Sequence, residues 1–255
     1  MRAFPPIDRT GLNRVARSLA VLARSEIGPL TALFVTAAGV LTFIEVADDM
    51  TEADGRAFDS MVLRALRPHA DPAEPWGPWW LREALADITS LGGISVLGLF
   101  AAAVIGFLLI QRKRLSAVVR AAGLAGGVAL SEGLKGLFER ERPPAEFQVV
   151  ETLNASFPSG HALLSTVFYL SVGVMLARVL PSKRLKAWVM GVAAAIALLV
   201  GASRIYLGAH WASDVFAGWS LGAAWAMALW LAAHLIERVQ NRRSAGLHDE
   251  PAPED

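Results

Sequence analysis

Six apolar runs, each near the length that crosses a bilayer, constrain this chain more than any other feature. They lie at roughly residues 29–47, 92–110, 116–137, 161–180, 187–203 and 213–236. A hydrocarbon core needs about 20 consecutive apolar residues per helix. In lipid the backbone must satisfy its own N–H and C=O groups, so runs of this kind fold as helices. The expectation is an all-α, six-helix transmembrane bundle. The third run is the least apolar, because Glu132 and Lys135 stand near its end. A composition of 54% hydrophobic and 18% charged residues agrees with lipid burial, where a soluble domain carries about 25% charge.

The connections sort by charge. Arg14, Arg17 and Arg24 precede the first run, and Arg112, Lys113 and Arg114 join the second to the third. Arg178, Lys183, Arg184 and Lys186 join the fourth to the fifth, and Arg238, Arg242 and Arg243 follow the sixth. Six crossings put all four patches on one side, which the positive-inside rule makes cytoplasmic. A multi-pass cell-membrane protein with both termini cytoplasmic follows. The first run begins late, near Pro29, and is long enough to span, so it reads as a retained helix and not a cleaved leader.

Four regions follow from this division. Residues 1–28 form a basic lead-in, with Leu12, Val15, Leu19 and Leu22 on one helical face. It suits either a helix lying on the membrane surface or a solvated approach to the first span. Residues 29–84 hold the first span and most of a polar connection, 48–91, in which 53–66 reads as a short helix. There Trp76, Trp79 and Trp80 suit the headgroup zone as an interfacial anchor. Residues 85–236 hold the other five runs, and 237–255 read as a polar, disordered cytoplasmic tail. Gly123 and Gly127, and again Gly218 and Gly222, place small residues one turn apart, which lets helices pack closely in lipid. A net charge of +1 gives no case for nucleic-acid binding, and the absence of cysteine excludes a thiol nucleophile or a thiolate metal site.

Three short segments carry chemistry, each at the edge of an apolar run: Lys135–Pro143, Pro158–His161 and Ser203–Asp214. Charges this close to lipid are costly unless they have a partner or a task. Arg142 offers a planar fork of donors that matches phosphate oxygens, and Lys135 offers a compact charge. Pro158-Ser159-Gly160-His161 opens the fourth run, where a helix N-terminus supplies free N–H groups to an anion. Gly160 permits close approach, Ser159 can cap the helix or donate its hydroxyl, and His161 can hand a proton to a leaving oxygen. Arg204 adds a third cation. If the last helix starts near His210, then His210 and Asp214, four residues apart, share a face. The carboxylate then holds one ring nitrogen and leaves the other free to attack. Taken singly, each segment also suits a plain helix cap, a basic membrane edge or a structural His–Asp pair. His69, His234 and His248 have no such partners, and Glu139 and Glu141 read as solvated charge.

Together the three segments resemble the type 2 phosphatidic acid phosphatase family, which shares its core with vanadium haloperoxidases and glucose-6-phosphatase. The family pattern is K-x6-R-P, then P-S-G-H, then S-R-x5-H-x3-D. It is met at Lys135, Arg142 and Pro143, at Pro158 through His161, and at Ser203, Arg204, His210 and Asp214. The resemblance covers about residues 85–236. It implies a membrane lipid phosphatase that hydrolyses a phosphate or diphosphate monoester, such as phosphatidate, phosphatidylglycerophosphate or a polyprenyl diphosphate. It further implies that His210 becomes a phosphohistidine, Asp214 orients it and His161 protonates the leaving group. Lys135, Arg142, Ser159, Gly160 and Arg204 would bind the phosphate, with no metal and no cofactor.

A lipid phosphotransferase would use the same residues with an acceptor other than water. A transporter or a non-catalytic lipid-binding protein is the rival of a different class. A transporter distributes charge through the membrane depth, whereas here charge gathers at one surface. Oligomeric state is not encoded in any of these features.

Six crossings also place the active site at the outer surface. With no native cysteine, labelling tests this directly. Asn154→Cys is expected to react with a membrane-impermeant thiol reagent on intact cells, and Ser182→Cys only after permeabilisation. The reverse pattern would overturn the orientation, and labelling of both would overturn the six crossings.

Overall fold

The structure is a computed structural model. It describes residues 9–68, 71–150 and 154–246, with side chains placed between residues 26 and 241. Within them run α1 (Arg9–Asp49), α2 (Ala53–Ala65), α3 (Trp79–Ser90), α4 (Ile94–Ile110), α5 (Arg114–Phe138), α6 (Gly160–Val179), α7 (Lys183–Tyr206) and α8 (Ala212–Gly246), and no strand. The fold is all-α, as the apolar runs require.

Among the described residues, five helices are long and apolar enough to cross a membrane: α1 over Glu26–Asp49, α5, α6, α7 and α8. The second run differs in form. α4 has 17 residues, and α3 leads into it across a 47° bend, so the two make a sixth crossing only as one broken span. The break is local chemistry. The N–H groups of Leu91, Gly92 and Gly93 turn back to the carbonyls of Ile88, Thr89 and Ser90, which tightens the chain out of the α-helix. The Tyr169 hydroxyl then donates to the Leu91 carbonyl at 2.9 Å. A side chain at Gly92 would strike Val200 and His161, so the close approach of α3–α4 to the bundle depends on that glycine.

Two expectations are corrected. The polar connection 48–91 contains α3 as well as the anticipated α2; its 12 residues are too few for a length rule to register. Trp76, Trp79 and Trp80 there are each at least 56% exposed, as headgroup anchors would be. α1 is continuous through Pro29, which suits the reading of the basic segment as a helical approach to the first span. α8 runs to Gly246, so residues 237–246 are helical and not a disordered tail. Ion pairs hold that end, with Arg238 on Glu26 at 2.5 Å and Arg178 near Glu237 at 3.5 Å. The leucine face of residues 12–22, His69, His248 and the last tail residues lie outside the described residues or side chains.

α6 is the central helix, packed on α4, α5, α7 and α8, while α1 lies along α8. Leu163, Leu164 and Val167 of α6 meet Leu97 and Leu221 in the core. Without a strong hydrophobic drive between helices in lipid, close backbone contact supplies the packing. Gly218 and Gly222 of α8 face α6 directly, and Gly127 of α5 faces Leu163 and Leu164. A second cluster, Phe43, Phe138 and Phe157, lies where α1, α5 and the segment before α6 meet, with ring centroids 4.9–6.4 Å apart.

A methyl group on Gly218 would lie 2.7 Å from the Ser159 carbonyl oxygen and 2.9 Å from the Ala162 Cβ. Gly218→Val is therefore expected to destabilise by about 1–3 kcal/mol, the usual cost of overpacking, read as a lower Tm in detergent. Gly133→Ala, with no neighbour within 4 Å, is the matched control and should not lower Tm.

Candidate active site

The topology brings every motif residue to one end of the bundle. Lys135 ends α5, Ser159-Gly160-His161 opens α6, Arg204 ends α7, and Asp214 lies in the first turn of α8. Arg142 comes from the connection before α6, and His210 from the turn between α7 and α8. That turn depends on Gly208, at φ +67°, where a Cβ would collide with the Phe147 carbonyl.

The His210–Asp214 pair forms, though not as one helical face. α8 starts at Ala212, and the turn folds His210 back so that its Nδ1 lies 3.3 Å from Asp214 Oδ2. The same carboxylate oxygen accepts the Trp211 N–H at 2.9 Å and the Ser156 hydroxyl. His210 Nε2 lies 3.2 Å from Arg142 Nη1. With Nδ1–H directed to Asp214, Nε2 carries the lone pair and presents it to Arg142 Nη1. His210 is 2% exposed and Asp214 0%.

The cations surround this pair. Arg142 is fixed by carbonyls, with Nε on Asn154 at 2.5 Å and Nη1 on Ala209 at 2.6 Å. Arg204 donates to Thr89 Oγ1 at 3.1 Å, and its own carbonyl accepts the N–H groups of Ala209 and His210. Lys135 Nζ pairs with Glu132 at 2.8 Å and lies 3.7 Å from where a Gly160 Cβ would stand. His161 is within electrostatic reach of Arg204, His210, Lys135 and Arg142. Ser159 makes no side-chain cap. Its buried hydroxyl, that of Ser131 and the Nε of Arg204 are without a hydrogen-bond partner among the described residues. Buried donors of this kind are costly unless a ligand accepts from them.

Sequence reasoning missed Arg140, although it sits within the first segment. Its Nη1 donates to Asp214 Oδ1 at 2.5 Å and its Nη2 to Asp59 Oδ2 at 2.7 Å. Asp59, Ser156, Ser213, Thr89 and Ser131 were missed too. Asp59 and Thr89 meet partners 81 and 115 residues away, a separation no local spacing reveals. No group of three or more His, Cys, Asp or Glu suited to a metal ion occurs among the described residues.

The fold and this end of the bundle define a multi-pass membrane protein with a cluster of cations around an oriented, buried imidazole. Residues 116–238 match the PAP2 superfamily. Phosphatidylglycerophosphatase B of Bacillus subtilis is 36% identical over 145 residues, which cover 56% of this chain and 70% of that protein. Undecaprenyl-diphosphatase of Sulfolobus acidocaldarius is 31% identical over 121 residues, 46% of this chain and 54% of that one. The crystal structure of a transmembrane PAP2-type phosphatidylglycerolphosphate phosphatase from Bacillus subtilis superposes with a TM-score of 0.69 at 28% identity, covering 77% of this chain and 94% of that one. Aquifex aeolicus LpxE, at TM-score 0.50 and 24% identity over 67% of this chain and 93% of its own, shares the fold. The chain belongs to the PAP2 superfamily. It is a membrane hydrolase of phosphate monoesters or diphosphates of that type.

Burial pushes the His210 imidazole down to about 4, aided by Arg142 and Arg204 and opposed by Asp214. Burial also lowers Arg142, against the pull of Asp214 and Glu132. An unfolded histidine titrates near ~6.5. Between those values the unfolded chain binds the proton that folded His210 refuses. The associated stability is therefore complete above ~6.5 and is lost as pH falls towards the folded value. Nitrogen-15 histidine spectra in detergent should show a ring that stays neutral, with Nδ1 protonated, down to about pH 5, and that vanishes in His210→Gln. A His210 ring that protonates near pH 6.5 would contradict this.

Proposed function

We propose that this chain removes a terminal phosphate from a membrane lipid through a phosphohistidine on His210. The observation that carries the reading is the orientation of one imidazole, with Nδ1 against Asp214 and Nε2 against Arg142. In the first step the Nε2 lone pair forms a bond to phosphorus. The ester P–O bond breaks, and protonated His161 gives its proton to the departing oxygen. The His210 ring now carries the positive charge that Asp214 supports. In the second step water attacks phosphorus, the P–N bond breaks and returns its electron pair to Nε2, and the water proton goes to His161. Inorganic phosphate leaves and the original protonation states are restored.

Arg142, Arg204 and Lys135 supply the positive charge that phosphoryl transfer needs, so the reaction requires no metal. The unpartnered Ser159 hydroxyl and the helix N-terminus at Gly160 suit the equatorial oxygens. The dianionic phosphate also brings the counter-charge that lets His161 hold a proton among three cations. A lipid substrate suits a cluster of cations at the end of a bundle, because its tail can stay in the bilayer while its headgroup meets the cations. The charge pattern of the connections supports a reading in which that end faces outside the cell and both termini are cytoplasmic. Among lipid phosphates we place a phosphatidylglycerophosphate-type monoester first, because the relative named for it is covered most completely. A polyprenyl diphosphate is second, from the second relative.

His210→Ala is expected to lower turnover at least ~10³-fold, as loss of a covalent nucleophile does elsewhere. Brief incubation of wild type with phosphate-labelled lipid and an alkaline quench should place acid-labile label on a His210 peptide. Full activity in His210→Ala would sink the mechanism. Release rates from phosphatidylglycerophosphate, phosphatidate and polyprenyl diphosphate vesicles rank the substrates, and faster release from the diphosphate would reverse the order of the first two.

A further inference from the structure

We infer that Asp59 of α2 is a positioning residue for the reaction, sharing the Arg140 guanidinium with Asp214 and so leaving Asp214 able to support charge on His210. The inference rests on the phosphohistidine mechanism. Asp59 lies outside residues 116–238, the segment that matches the family. It is nevertheless 2% exposed and fully engaged. Its Oδ1 accepts the Ser213 N–H at 2.9 Å, and its Oδ2 accepts the Ser213 hydroxyl at 2.5 Å and Arg140 Nη2 at 2.7 Å. The other Arg140 nitrogen, Nη1, donates to Asp214 at 2.5 Å and to Ser213 Oγ at 2.7 Å. One guanidinium therefore bridges two buried carboxylates, and Ser213, next to Asp214 in the chain, is clamped from the same side. The Arg140 group also lies 5.8 Å from the centre of the Trp211 ring, which restricts it further.

Charge balance gives this bridge its consequence. Two carboxylates against one guanidinium leave one negative charge over. That charge faces His210, whose ring becomes cationic as Nε2 bonds to phosphorus. Without the Asp59 charge, Arg140 would neutralise Asp214 alone, and the new imidazolium would meet a carboxylate whose charge is already matched. Low local dielectric makes such a change strongly felt. The other groups around His210 are Arg142 from the connection before α6, Arg204 from α7 and His161 from α6, all cationic or able to become so. None of them can replace the lost negative charge. A helix of the outer connection would thus take part in setting the reactivity of a histidine on the far side of Asp214.

A mere staple between α2 and α8 would change stability without changing chemistry, and the test separates the two. Full-length wild type, Asp59→Asn and Asp59→Glu are compared in detergent–lipid micelles, with a short-chain phosphatidate as probe. Asp59→Asn is expected to slow single-turnover phosphoenzyme formation and kcat by about 10- to 100-fold, the scale on which supporting partners act around other charged centres. KM should not change, and Asp59→Glu should recover part of the rate. The His210 ring in Asp59→Asn should also take up a proton only at lower pH than in wild type. If Asp59→Asn fails to fold, Asp59→Ser takes its place, because it also removes the carboxylate and leaves Arg140 to Asp214 alone. It should show the same slow formation step. A folded Asp59→Asn with the wild-type formation rate, whatever its Tm, would overturn the inference alone. Absence of any phosphoenzyme in the wild type would instead overturn the phosphohistidine mechanism and the inference with it.

Discussion

Asp214 carries its charge at zero exposure, and a carboxylate stays ionised there only when donors surround it. Trp211 N–H, the Ser156 hydroxyl, His210 Nδ1 and Arg140 Nη1 supply them. Its backbone carbonyl accepts the Ser159 N–H at 3.0 Å as well. One residue thus ties together the α7–α8 turn, the connection before α6, the N-terminus of α6 and the first turn of α8. Those are the segments that carry the candidate site.

The packing of α8 on α6 lets that carboxylate reach its donors. Gly218 and Gly222 remove side chains where the helices cross, so the first turn of α8 comes close to the first turn of α6. The same economy appears at Gly92, where the bend between α3 and α4 brings Thr89 to Arg204 and the glycine backbone to His161. Small residues here govern the spacing of charged groups at the end of the bundle. In lipid, where apolar burial gives little discrimination between helix pairings, backbone proximity is a main means of fixing such distances.

A cluster of converging cations is unstable without counter-charge, and the fold manages this unevenly. Arg140 is neutralised by Asp59 and Asp214, and Lys135 by Glu132. Arg142 and Arg204 are held by neutral carbonyl and hydroxyl oxygens instead, so their charge is left for a ligand. On the proposed reading, two cations with neutral partners, a paired lysine and buried donors without partners would form a site pre-organised for a phosphate dianion. Such pre-organisation is the general route by which protein charge stabilises phosphoryl transfer.

Much of this was legible in the chain. Length and apolarity of the runs dictate helices, because lipid leaves the backbone no other way to satisfy itself. The spacings of Lys135, Arg142, Ser159, Gly160, His161, Arg204, His210 and Asp214 were visible because each segment is short and lies beside a helix end. Other features were beyond local pattern. The bend at Gly92–Gly93 depends on what the glycines pack against, and α3 is too short for a hydropathy rule. The continuation of α8 to Gly246 is accompanied by ion pairs of Glu237 and Arg238 with other helices, which no local pattern reveals. The partnership of Asp59 with Arg140 and Ser213 joins residues up to 154 positions apart, and only folding brings those charges to one carboxylate. The sequence determined the class of fold and the chemistry at its rim, because both rest on local composition. The tertiary structure decided which neighbours tune Asp214 and His210, because electrostatic coupling depends on distance in space and not along the chain.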